Sequence, residues 1–256
     1  MSELCIYRPR GKAGEYASWA CNLYTGCSND CEYCYCKKGP LGSIWTKEPR
    51  LKKCFKNEEH AYSVFIRELE QNQEALRREG LFFSFTTDPF LKETRKFTWN
   101  CILTALSEKI TVSVLTKRAD FLDDISTALR WIHKDGLVFG FTITGCNLKE
   151  PGASTNGQRI EAMERLHDAG FKTFASLEPI IDPARTLNYY KELASRSCCD
   201  LVKVGLESGR KAPYIKEELQ SLHATITGGP IPYYFKKSYT DALNLPKQKS
   251  VNIQKL

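Results

Sequence analysis

The 256-residue sequence has no stretch of about 18 apolar residues, the length that crosses a bilayer. Its N-terminal MSELCIYRPRGKAGEY lacks an apolar run of signal-peptide type. These absences lead us to expect a cytoplasmic protein without a membrane partner, in a compartment where disulfides seldom persist. Internal linkers, low-complexity runs and strong repeats are also missing, which argues against a string of small modules. Histidine is scarce, with four in the chain at positions 60, 133, 167 and 223. Cysteine comes to eleven, an odd count that a closed disulfide framework would not leave.

The remaining composition is that of an ordinary globule, with 42% hydrophobic and 26% charged residues. A chain of this length buries a sizeable core without covalent staples. Two small domains would fit, but so would one α/β barrel. The net charge of +7 is unevenly spread. Ten basic residues (Arg8, Arg10, Lys12, Lys37, Lys38, Lys47, Arg50, Lys52, Lys53 and Lys56) face five acids (Glu3, Glu15, Asp30, Glu32 and Glu48) in the first 56 positions. Such a cluster attracts polyanions, or simply keeps a surface soluble.

Four cysteines fall in GCSNDCEYCYC, residues 26–36. Beyond this loop the chain keeps a regular beat. Residues 81–85 (LFFSF), 111–115 (TVSVL), 137–143 (LVFGFTI), 172–177 (KTFASL) and 201–206 (LVKVGL) read as strands buried on both faces. Residues 17–23 are a weaker first strand. Helical patterns fill the gaps. Asn57 caps one that Gly80 stops, Asp120 opens another, Ile160, Met163 and Leu166 mark a third, and Asp182-Pro183 starts a fourth. Alternation of this kind implies parallel βαβ units with right-handed crossovers. The expected fold class is α/β, a partial (β/α)6 TIM-like barrel with a C-terminal extension. Its expected parts are an N-terminal basic segment (1–16), the six-unit barrel (17–226) and an extension or lid (227–256).

This placement puts the cysteine loop after the first strand, at the C-terminal mouth where such barrels build their sites. Cys27, Cys31 and Cys34 have the spacing C-x3-C-x2-C. Three thiolates on a four-iron cluster leave one iron free, whereas a cluster used only for electron transfer normally takes four cysteines. The competing reading is zinc, with Cys36 as fourth ligand. It lacks the paired C-x2-C units or nearby histidines that zinc sites usually show.

C-x3-C-x2-C with Tyr33 before the last cysteine resembles the signature of the radical S-adenosylmethionine superfamily. The resemblance implies a [4Fe-4S] cluster on Cys27, Cys31 and Cys34 whose open iron binds S-adenosylmethionine. Reduction then cleaves the cofactor to a 5′-deoxyadenosyl radical. A narrower likeness, over roughly residues 17–182, is to spore photoproduct lyase and its relatives. It rests on GCSNDCEYCYC, Thr86-Thr87-Asp88-Pro89, Leu115-Thr116-Lys117, Phe141-Thr142-Ile143-Thr144 and Glu150-Pro151-Gly152 with Arg159. It implies that Thr87 and Asp88 hold the methionine end of the cofactor, that Lys117 meets its carboxylate, and that Thr142 lies near the ribose. Tyr33 joins this cofactor set, and Tyr35 and Cys146 are the candidate catalytic residues.

Chemistry makes the assignment reasonable on its own terms, because each group ends a strand and a zwitterionic cofactor needs a cation, acceptors and hydroxyl partners. Plainer readings stand beside it. Asp88 before Pro89 is a turn former, Thr142 an ordinary strand threonine, Lys117 a snorkelling lysine, and Glu150 with Arg159 a structural pair. One position departs from the lyase pattern. Phe85 stands where the lyase carries a hydrogen-donating cysteine, which puts the lyase's thiol relay in doubt and leaves Cys146 as the thiol placed to take over. Cys146 as a small buried hydrophobe is the alternative.

The expected function is therefore a radical enzyme of lyase-like class that abstracts hydrogen from a substrate. A nucleic-acid base or lesion is the first substrate class. A protein or small metabolite is the second, and a non-catalytic iron–sulfur or zinc module the third. An electron donor such as flavodoxin or ferredoxin is the expected partner, with nucleic acid as a second. Lys203 and Glu207 are expected on the sixth strand, pointing inward with Glu207 at the mouth, and a buried ion pair between them is the plainer reading. Aromatics beside lysines in residues 228–237 suggest a lid or a stacking surface for bases.

Overall fold

The computed structural model describes residues 5–38, 42–207, 216–249, 251 and 253. Parts of the expected terminal segments, and residues 208–215 of the expected sixth unit, lie outside the described residues. The chain opens with β1 (Ile6–Tyr7), β2 (Ala20–Cys21) and the small hairpin of β3 (Tyr24–Thr25) with β4 (Arg50–Leu51). Helices α1 (Glu58–Gln71) and α2 (Gln73–Glu79) lead to β5 (Leu81–Phe83), and α3 (Arg95–Ser107) leads to β6 (Val112–Thr116). The alternation continues through α4 (Leu122–Leu129), β7 (Leu137–Thr142), α5 (Asn156–Asp168), β8 (Lys172–Leu177), α6 (Pro183–Arg196) and β9 (Leu201–Val204). It ends with α7 (Lys216–Thr227), β10 (Tyr233–Phe235) and α8 (Lys237–Leu243).

One sheet runs in the order β1-β2-β5-β6-β7-β8-β9-β10, antiparallel only at its first pair. The expected α/β partial barrel is the fold observed. Local signals explain its helices. Asn57 accepts the amide of His60 at 2.8 Å, Asp182 accepts that of Arg185 at 2.9 Å ahead of Pro183, and Thr155 with Gln158 forms a capping box on α5. A cap of this kind contributes about 1 kcal/mol.

The two faces of the sheet pack differently. Val112, Val114, Leu137, Phe139, Phe141, Ala175, Leu177, Val202 and Val204 join the helices in the large core. Their alternates Phe82, Val138, Phe174 and Leu201 form a second cluster with Tyr16, Ala17 and Ala20 and with no helical residue, so they fill the inside of the curved sheet. There the ring of Phe174 lies against Gly140, where a Cβ would come within 2.1 Å of it.

Two expectations change. Within residues 228–237, read as a lid or stacking surface, Tyr233–Phe235 is a seventh parallel strand beside β9, with Phe235 packed on His223 at 4.6 Å and on Tyr239 at 4.9 Å. Within the expected N-terminal basic segment, β1 pairs with β2. Lys203 and Glu207 do not pair across the barrel. Lys203 donates to the carbonyls of Glu15 (2.6 Å) and Val251 (3.1 Å), and Glu207 meets Lys38 at 3.1 Å. Among the described residues no helix is long and apolar enough to cross a membrane.

Candidate active site

The cysteine loop sits where β2 releases the chain, and backbone bonds fix its path. Cys27 N–H donates to Thr46 O at 3.1 Å, Glu32 N–H to Lys149 O at 3.0 Å, and Gly152 N–H to Asn29 O at 3.1 Å. Two glycines allow this packing. Gly26 has φ +83° and lies on the Thr46 backbone, while a Cβ at Gly152 would meet Ser28 O at 2.0 Å. Cys31 is buried, and Cys27 and Cys34 are half-buried. Burial pushes the Cys27 thiol up to about 12, with the Asp88 charge adding to it. A hydrogen bond with Cys36 holds the Cys34 thiol down at about 6, against the effect of burial. Among the described residues, the cysteine loop included, no three His, Cys, Asp or Glu side chains converge as ligands of a single metal ion.

Asp88 ties this loop to the sheet. Its Oδ2 accepts from Asn29 Nδ2 (2.8 Å) and Lys117 N–H (2.7 Å), and its Oδ1 from Thr116 Oγ1 (2.7 Å) and Phe90 N–H (3.0 Å). Four donors fill the acceptor capacity of a carboxylate. These four bonds tie the cysteine loop, through Asn29, to the end of β6. The buried Thr87 hydroxyl and the Asn29 side-chain oxygen have no hydrogen-bond partner among the described residues.

A second hub stands across the loop. Glu150 and Arg159 form an ion pair at 2.8 Å with both side chains fully buried. Arg159 also donates to Thr142 O at 2.8 Å and Lys117 O at 3.2 Å, and Tyr33 donates its hydroxyl to Glu150. One guanidinium therefore holds the ends of β6 and β7 while its carboxylate partner holds the cysteine loop. The structural-pair reading of Glu150 and Arg159 describes what is seen.

Lys117 follows Thr116, which is in register with Phe141, so Lys117 and Thr142 lie side by side facing inward. No described residue hydrogen-bonds the Lys117 ammonium, whose aromatic neighbour is the Tyr33 ring at 5.6 Å. Burial works against its charge, but Cys31, Glu150 and Asp88 outweigh it and raise the lysine above its ordinary value. The Thr142 hydroxyl likewise lacks a partner among the described residues. Tyr35 is exposed and donates to Phe85 O, and Cys36 Sγ lies 3.6 Å from the same oxygen. Cys146 is half-buried just past β7, its N–H donating to Thr144 Oγ1 at 3.3 Å. A lysine with no hydrogen-bond partner among the described residues, hydroxyls equally without one, and a loop carrying three cysteines fit a cluster with a zwitterionic ligand.

The family described as "Protein of unknown function (DUF5131)" matches residues 13–252. The chain belongs to that family. It is 26% identical over 185 residues to "Uncharacterized protein MJ0683" of Methanocaldococcus jannaschii, a match spanning 68% of this chain and 64% of the relative's length. Among solved structures, a mutant of spore photoproduct lyase superposes with a TM-score of 0.62 at 19% identity, covering 86% of this chain and 77% of that one. A second lyase mutant, with bound AdoMet and dinucleoside spore photoproduct, gives 0.59 at 18% identity over 84% of this chain and 62% of that one. SuiB of Streptococcus suis bound to precursor peptide SuiA gives 0.58 at 11% identity, over 86% and 50%. The DUF5131 chain thus has the fold of these radical S-adenosylmethionine enzymes.

Sequence reasoning missed the residues that face Thr142 from the other strands. Tyr16 donates to Glu178 Oε2 at 2.7 Å and is bonded to Ser176 at 2.6 Å, and Lys236 donates to Glu178 Oε2 at 2.6 Å. The available signal was period two: Ser176 and Lys203 alternate with core residues on β8 and β9, as Tyr234 and Lys236 do on β10.

Proposed function

We propose that this chain is a radical S-adenosylmethionine enzyme, and the observation that carries the reading is the Lys117 ammonium, without a hydrogen-bond partner among the described residues, beside the Cys27, Cys31 and Cys34 loop. Those three cysteines would hold the [4Fe-4S] cluster. Bound there, the cluster supplies the electron that cleaves S-adenosylmethionine to the 5′-deoxyadenosyl radical. Lys117 would meet the cofactor carboxylate, with Thr87 and Thr142 as hydroxyl partners and Tyr33 keeping the loop and Lys117 in one frame. Asp88 and the Glu150–Arg159 pair hold these groups in place. A flavodoxin or ferredoxin would deliver the electron in the cytoplasm. Cys146 is the thiol placed to hand a hydrogen atom back, with Tyr35 at the same mouth.

The substrate reading that we favour is a nucleic-acid base or lesion. It is supported by the basic first 56 residues and by the likeness to a lyase structure with bound dinucleoside spore photoproduct. The likeness to SuiB with its precursor peptide supports a protein substrate as the second reading. Anaerobic reconstitution with iron and sulfide tests the core of the proposal. Single alanine substitutions of Cys27, Cys31 and Cys34 should each abolish iron loading and 5′-deoxyadenosine formation, while Cys36→Ala keeps both. Normal loading in all three variants would overturn it.

A further inference from the structure

The strand register places Thr142 opposite Ser176, Ser176 opposite Lys203, and Lys203 opposite Tyr234. With Lys117 next to Thr142, one inward layer of polar residues crosses five neighbouring strands. Just past β8, the middle strand of this layer, stands Glu178. Its Oε2 takes Tyr16 and Lys236, whereas no described residue bonds its Oε1. A tyrosine hydroxyl has one proton, so Tyr16 gives it to Glu178 and accepts from Ser176. The side chain keeps 15% of its surface exposed. Oε1 rests on Gly205, where a Cβ would lie 2.8 Å away and displace the carboxylate.

Tyr16 also connects this carboxylate to an aromatic shelf. Phe85 stacks on the fully buried Phe82 with centroids 4.6 Å apart, and its edge contact with Tyr16 spans 6.2 Å. The Phe85 ring is half-buried, and Phe82 backs one of its faces. A flat π-face with a fixed anionic acceptor at its side is the arrangement that holds an unstacked heterocycle.

We propose that Phe85 and Glu178 form the substrate-recognition site. A planar heterocycle lies on Phe85 and donates a ring N–H to Glu178 Oε1, beside the strand ends that carry Lys117 and Thr142. Lys236 and Tyr16 aim the carboxylate. The proposal rests on the radical-enzyme reading, because it places this ligand next to the cofactor.

Uridine, N3-methyluridine and N-acetylalaninamide are suitable probes, titrated into reconstituted enzyme carrying S-adenosylmethionine. Uridine should bind, and methylation of its ring nitrogen should weaken binding at least tenfold. Phe85→Leu and Glu178→Leu should each weaken uridine at least tenfold while S-adenosylmethionine binds as before. Phe85→Leu leaves the Lys236 contact intact, and the comparison of the two nucleosides needs no substitution at all. Equal affinity for both nucleosides, no uridine binding, or undiminished binding in Phe85→Leu would overturn the assignment. Preference for the acetylated amide would replace the heterocycle by a peptide. Failure of the unsubstituted protein to bind S-adenosylmethionine would instead remove the underlying reading.

Discussion

The two halves of the inward polar layer differ in how their side chains are satisfied. On β6 and β7, the Lys117 ammonium and the Thr142 hydroxyl find no hydrogen-bond partner among the described residues. On β8, β9 and β10 every corresponding group is tied. Ser176 bonds Tyr16, Lys203 donates to two carbonyls, and Tyr234 donates to Glu15 Oε1 at 3.2 Å. Beside Lys117 and Thr142 the buried Thr87 hydroxyl is also without a partner among the described residues, and such a group is costly unless something else completes it. On the proposed reading an arriving ligand does so. The second half is a finished wall, with the Oε1 of Glu178 left facing inward.

The largest test of this contrast is at the hub that supports the open half. Glu150→Ala strands the Arg159 guanidinium in the interior and should cost about 3–5 kcal/mol in urea unfolding. A loss below about 1 kcal/mol would mean that the two strand ends hold without it. Lys117→Ala should leave unfolding almost unchanged yet weaken S-adenosylmethionine by about 1.5–3 kcal/mol, the scale of a charge-assisted bond, as read by calorimetry. Unaltered binding there would erase the distinction between the halves.

Lys203→Met should do the opposite, sparing cofactor affinity and changing the pH dependence of stability. Burial, aided by the charge of Lys236, lowers Lys203 to about 7 while Glu15 and Glu178 resist. Unfolded, a lysine holds its proton to about 10.4. Between those values the unfolded chain binds more protons, so stability rises with pH, and below about 7 the burial cost is present in full. The advantage of wild type relative to Lys203→Met should therefore grow by up to about 2 kcal/mol from pH 7 to pH 9. A flat difference would show that Lys203 stays charged in its carbonyl cage.

The sequence made local features legible and left spatial ones hidden. Asn57, Gly80, Asp182 and residues 172–177 appear where their signals put them, because caps and apolar strands act within a few neighbours. The cysteine spacing and the strand-end groups were visible for the same reason. Hidden was which strands adjoin. Tyr233–Phe235 reads in the sequence as part of a lid or stacking surface, since three residues between Ile-Pro and Lys-Lys carry almost no periodicity. The Tyr16–Glu178–Lys236 network joins residues more than 150 positions apart, and only the sheet brings them together. Asp88 was recognisable as important, but its saturation by four donors depends on Asn29 and β6 arriving from different directions.

Phe174 lying over Gly140 bears on the order of binding. Two residues before the polar layer, Leu115, Gly140, Phe174 and Leu201 form an apolar tier packed with Val138 and Phe82 beneath the mouth. If the proposed cofactor and substrate share the mouth above this tier, whichever lies deeper loads first and departs last, and steady-state inhibition patterns should reveal a compulsory sequence of arrival instead of a random one.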